Sequence, residues 1–159
     1  MESQNTADKL GGILAFQSVH ERLVTSGQPT LEQFGWIAAA GFGTVINLAL
    51  TDASNAVAGE DRRVLELGMD YIQLPLLFNQ PSPSQALRVL ALIDSLKSEK
   101  IWLHCALNMR VSSLMYLYRT HYLAVDDAEA QGFLHKIWSP DPVWSALISA
   151  VQQHLRHRP

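Results

Sequence analysis

The sequence is short of cysteine, of charge and of long apolar runs, and each shortage removes a class of protein. The one cysteine, Cys105, excludes an internal disulfide, which suits a reducing compartment. Charged residues make up only 17%, and twelve Lys and Arg against fifteen Asp and Glu give a formal charge of -3. That balance offers no basic face, so no nucleic-acid partner is expected. No apolar run approaches the ~20 residues needed to span a bilayer. The opening MESQNTADKLGG is polar and lacks the basic-then-apolar order of a secretory signal. No membrane association is expected, and a cytoplasmic location is the default expectation.

What is present is a core. The hydrophobic fraction of 48% rules out global disorder. A chain of 159 residues suggests a single domain, here over residues 23–159, with residues 1–22 as a lead-in holding the flexible pair Gly11-Gly12. Within the domain a grammar of helix, glycine and strand recurs. Thr30 and Gln33 form a capping-box signature before the apolar stretch Phe34 to Ala40, and Gly41 is placed to stop that helix. Thr44 to Leu50 then reads as a buried strand. A second helix over Asp61 to Leu67 stops at Gly68, before a strand over Met69 to Leu76. Ser82, Pro83 and Gln85 open a third helix, and Lys100 to His104 is a short strand.

Strands alternating with helices predict an α/β fold, with a small, mostly parallel sheet flanked by helices. After His104 the pattern turns wholly helical. Val111, Leu114, Met115, Tyr118 and Tyr122 mark one buried helix face. Asp126 with Glu129 opens a further helix, and Ser139-Pro-Asp-Pro142 leads into a last one. The fold class is therefore α/β with a helical C-terminal third.

In such sheets ligands bind beyond the carboxyl ends of the strands. The third of these ends, His104 to Arg110, holds the single cysteine. A strand, a short loop and a helix start aim backbone N–H groups and the positive end of the helix dipole at an anion. A thiol placed there should lose its proton more readily. Arg110 adds a two-pronged donor for phosphate or sulfate oxygens, and Ser112 is positioned to donate to the thiolate when it acts as leaving group. Phosphorylated substrates or inorganic phosphate or sulfate are the expected ligands. No cofactor motif is present. His154 and His157 stand at i and i+3 without a third ligand, so no metal is expected.

The run Ile101-Trp-Leu-His-Cys-Ala-Leu-Asn-Met-Arg-Val-Ser112 resembles the signature loop of cysteine-dependent protein tyrosine and dual-specificity phosphatases. Ser26-Gly-Gln-Pro29, Gly43 to Leu48 and Tyr71-Ile-Gln-Leu-Pro75 resemble a bacterial subfamily of them, one that also supplies the phosphatase-like part of fusions with a β-lactamase-type hydrolase domain. The likeness extends from about Leu23 to Trp144. It implies Cys105 as nucleophile, Arg110 with Ala106, Leu107, Asn108 and Met109 as the oxyanion cradle, and His104 in support.

Three departures accompany the likeness. Four residues separate Cys105 from Arg110, where the signature has five. Asn108 stands where the signature has glycine, a mild change because Asn tolerates the left-handed conformation. Leu77-Phe78-Asn79-Gln80 offers no carboxylate where related enzymes carry a general acid, so Asp52, on a neighbouring loop, is the nearest substitute. The leading expectation is a phosphate monoester hydrolase, phosphotyrosine included, working through a thiophosphate intermediate. A non-catalytic oxyanion or phosphoprotein binder and a rhodanese-like sulfur transfer at the shortened loop are the alternatives.

Overall fold

The computed structural model describes residues 2–157. In chain order the elements are α1 (Glu2–Gly11), β1 (Gln17–His20), β2 (Leu23–Ser26), α2 (Leu31–Ala39), β3 (Thr44–Asn47), α3 (Glu60–Glu66), β4 (Asp70–Gln73), α4 (Pro83–Ser95), β5 (Ile101–His104), α5 (Met109–His121), α6 (Asp127–Ile137) and α7 (Pro142–Arg156). The sheet has the order β1-β2-β5-β3-β4. Only the β1–β2 pair is antiparallel, so the sheet is mostly parallel, with helices on both faces.

The punctuation read from the sequence explains these boundaries. Thr30 Oγ1 accepts from the Gln33 amide at 3.2 Å and the Gln33 side chain accepts from the Thr30 amide at 2.9 Å, completing the capping box. Gly41 and Gly68 stop α2 and α3 at φ +93° and +86°, a backbone state costly for other residues. Ser82 caps α4, with Pro83 in its first turn.

Alternation along the strands divides the core in two. Leu23, Ile46, Ile101 and Leu103 face a large cluster with α4, α5, α6 and α7. Val24, Val45 and Trp102 face a smaller one that includes Leu10, Ile13, Phe34 and Ile37. The segment read as a lead-in thus carries α1, β1 and two core side chains. Arg119 holds that edge strand: its guanidinium donates to the Ser18 carbonyl at 3.2 Å and stacks over Phe133, 4.1 Å from the ring centroid. Burial pushes the Arg119 guanidinium down to about 10.

One expectation changes outright. The sequence pattern gives α5 a single buried face, yet every residue from Arg110 to Arg119 is buried. The helix lies against β2 and is covered by α4, α6 and α7. Among the described residues no helix is long and apolar enough to cross a membrane.

Candidate active site

β5 lies in the middle of the sheet and all four of its residues are buried. The chain leaves it at Cys105, turns through Ala106, Leu107 and Asn108, and enters α5 at Met109. The turn is possible because Asn108 adopts φ +64°, ψ +8°, the left-handed state that Asn tolerates. The Asn108 side chain secures it, donating to the Ala15 carbonyl at 2.8 Å and to Thr25 Oγ1 at 3.1 Å.

The carbonyls of this loop are tied to the surrounding fold. The Cys105 carbonyl faces His104 Nδ1 at 3.0 Å, so that nitrogen carries the donated proton. The Ala106 carbonyl accepts from the Gln28 amide at 3.0 Å and from Asn55 Nδ2 at 2.9 Å. Gly27 lets β2's exit pass this close, since a β-carbon there would sit 2.7 Å from the Ala106 oxygen. Among the described residues, no protein oxygen accepts from the amides of Ala106 to Arg110. The last of these belong to a helix's first turn, where donors have no intrahelical partner.

Cys105 is buried and lines a cavity of about 160 Å³ with Phe78, Ala106, Leu107, Met109 and Arg110. Arg110 is 7% exposed. One of its nitrogens donates to the Leu76 carbonyl at 2.9 Å, and its guanidinium sits 5.8 Å from the Phe78 ring centroid. Among the described residues no carboxylate lies within ion-pair distance of it. A buried guanidinium without a carboxylate is an arrangement that an incoming anion would complete. The remaining wall is apolar. Phe78 is exposed on its outer side, and its carbonyl accepts from Trp144 Nε1 at 2.7 Å.

The structure thus gathers Cys105, Ala106, Leu107, Met109 and Arg110 around one cavity, with Asn108 behind it shaping the turn. His104 lies beneath, fully buried, with Nε2 2.6 Å from Glu60 Oε2. Ser112 Oγ donates to the Met109 carbonyl at 3.1 Å, and not to the thiol. Asp52 is exposed on the loop between β3 and α3 and does not line the cavity, which has no carboxylate in its wall. Sequence reasoning missed Glu60, Gln28 and Asn55. Gln28 stood in a segment noted for its likeness, without a role, whereas Glu60 and Asn55 carry no local signal because their partners lie 44 and 51 positions away.

No curated protein matches the chain in sequence. Among solved structures, it is similar to a Shewanella putrefaciens CN-32 protein described as a phosphatase candidate of the DUF442 group, at 29% identity and TM-score 0.83, covering 93% of this chain and 97% of that one. It shares its fold with Tk-PTP in the active form (15% identity, TM-score 0.73, 87% and 97% covered). The fold is also that of TpbA from P. aeruginosa, solved in complex with phosphotyrosine (13% identity, TM-score 0.70, 91% and 92% covered). A family model described as a DSP-PTPase phosphatase fused to NAD+ kinase matches residues 9–137, a span containing the cysteine loop and every tether on it, and the chain belongs to that family.

Proposed function

We propose that the protein is a cysteine-dependent phosphatase of phosphate monoesters, favouring aryl esters such as phosphotyrosine. The observation that carries this reading is the pairing of a buried, carboxylate-free Arg110 with a loop whose amides are uncommitted, both beside Cys105. Those donors would hold the non-bridging oxygens and stabilise the charge that develops on them. The Cys105 thiolate attacks phosphorus, a sulfur–phosphorus bond forms, and the ester oxygen departs with the bonding electrons. Water then attacks the same phosphorus, inorganic phosphate leaves, and the thiolate is regenerated.

The absence of a carboxylate from the cavity wall sets the substrate preference. A nitrophenolate departs with little protonation, a tyrosine phenolate needs less than an alkoxide, and the Phe78 face suits a flat ring. An alkoxide needs the proton, and general acid catalysis is typically worth ~100 to 10,000-fold. The test compares wild type, Cys105→Ser and Asp52→Asn on nitrophenyl phosphate and on phosphoserine. The expected result is aryl turnover lost in Cys105→Ser, with alkyl turnover lower by about two orders of magnitude or more in wild type. A loss in Asp52→Asn that is larger on phosphoserine assigns Asp52 as the acid. Aryl turnover that survives Cys105→Ser would remove the thiolate mechanism. Phosphate binding without any turnover in wild type favours the binding-module reading, for which the missing carboxylate is the supporting observation.

A further inference from the structure

We propose that Glu60 is the positioning residue of the cysteine loop, setting the direction of two of its amides through His104 and Gln28. The inference rests on the reading of that loop as an oxyanion cradle. Glu60 opens α3 and is 6% exposed. It does not touch the cavity at Cys105 and instead lines a different cavity of about 320 Å³ with Asn47, Tyr71 and Gln73. Its two oxygens have separate partners. Oε2 meets His104 Nε2 at 2.6 Å, and Oε1 accepts from Gln28 Nε2 at 2.7 Å. His104 Nδ1 holds the Cys105 carbonyl, and the Gln28 amide holds the Ala106 carbonyl. One carboxylate therefore anchors both tethers.

Proton counting shows why a carboxyl group is suited to this place. A carbonyl can only accept, so His104 Nδ1 must carry a hydrogen. The Nε2 to Oε2 contact then contains one shared proton. Whether it resides on nitrogen or on oxygen, Nδ1 remains a donor. Without Glu60 the buried Nε2 has no partner to hold the ring in place, and the bond from Nδ1–H to the Cys105 oxygen is lengthened or lost as the ring shifts.

The planarity of the peptide group carries this constraint to the cavity. Each trans peptide holds its C=O and N–H on opposite sides in one plane. Fixing the Cys105 carbonyl fixes the direction of the Ala106 N–H, and fixing the Ala106 carbonyl does the same for the Leu107 N–H. Losing the His104 tether lets the Cys105 carbonyl oxygen turn toward the bound oxyanion, exchanging attraction for repulsion, whereas the Ala106 carbonyl keeps a second donor in Asn55 Nδ2 and loosens less.

The experiment compares wild type, Glu60→Gln, Glu60→Asp and Glu60→Leu. Phosphate affinity is read as protection of Cys105 from iodoacetamide, and the His104 Nδ1–H bond to the Cys105 carbonyl from the proton and nitrogen-15 shifts of that imidazole N–H. Glutamine can donate to His104 Nε2 while accepting from Gln28, so it should keep the Nδ1–H bond to the Cys105 carbonyl and phosphate affinity within about threefold of wild type. Leucine should weaken the Nδ1–H bond to the Cys105 carbonyl and weaken phosphate about tenfold or more, the usual consequence of losing a buried, charge-assisted bond. Aspartate, one methylene short, should fall between them, and it serves as the scored variant if Glu60→Leu does not fold. A folded Glu60→Leu, or in its place Glu60→Asp, with a wild-type Nδ1–H shift and wild-type protection overturns the inference alone. Wild type unprotected by phosphate overturns the cradle reading, and this inference with it.

Discussion

Replacing Asn108 separates the two physical contributions that hold the cysteine turn. Its side chain makes two buried hydrogen bonds, to the Ala15 carbonyl and to Thr25 Oγ1, together worth ~2 kcal/mol at about 1 kcal/mol each. Against this stand a left-handed backbone and a buried Oδ1 without a partner, whose removal returns about 1 kcal/mol. Asn108→Gly should therefore lose ~1 kcal/mol net, lowering Tm by about 2–4 °C for a chain of this size. Asn108→Ala loses the same bonds and adds a β-carbon at φ +64°, placing it ~1 kcal/mol below the glycine variant. Urea unfolding followed by the fluorescence of the buried Trp102 and Trp144 measures both. Glycine as stable as wild type would mean that the two bonds contribute nothing. Alanine equal to glycine would mean that the turn does not need its positive φ.

Gly27→Ala should be destabilised by about 1–3 kcal/mol and bind phosphate more weakly, because its β-carbon meets the Ala106 carbonyl at 2.7 Å; calorimetry showing neither change would refute the close approach. Arg110→Lys should lose more phosphate or vanadate affinity than its conserved charge suggests, since an ammonium cannot offer two parallel donors; equal affinity in titration would show that the guanidinium serves only the Leu76 carbonyl. Burial pushes the Tyr71 hydroxyl from 10.0 up to about 12. The unfolded chain then releases that proton first, so the contribution is intact below pH 10 and lost between pH 10 and 12. In Tyr71→Phe the fall of stability across that window should be shallower, and an unchanged slope in denaturant titrations would contradict it.

The sequence shows most clearly what is encoded locally. The capping box at Thr30, the glycine stops and the left-handed backbone at Asn108 each act within about four residues, so their signals survive in one dimension. The segment before Leu23 was opaque for the opposite reason. β1 has one exposed and three half-buried residues, Gln17 to His20, and its place depends on β2 and on Arg119, about a hundred positions away. α5 misled because its polar residues hide among its apolar ones. Ser112 and Ser113 both return their hydroxyls to the Met109 carbonyl, so they enter the core already bonded, and no polar face is left to mark a solvent side. The cysteine loop was legible as a cradle from its residues alone. Its supports were not, because Glu60, Gln28 and Asn55 meet it only after three strands have aligned.

The all-round burial of α5 has a consequence for how deuterium should enter the chain. Amides in the middle of this helix are bonded and covered on every side, so they exchange only when the whole domain opens. A few residues upstream, the amides of Ala106 and Leu107 have no protein acceptor among the described residues, on a stretch where Leu107 is 48% exposed. A slowly and a rapidly exchanging stretch therefore adjoin, with Asn108 at the boundary. An anion filling the loop would supply the missing acceptors and erase that boundary from one side, leaving the helix as it was. Uptake at Ala106 and Leu107 thus reports occupancy of the loop, while uptake within α5 reports the integrity of the fold.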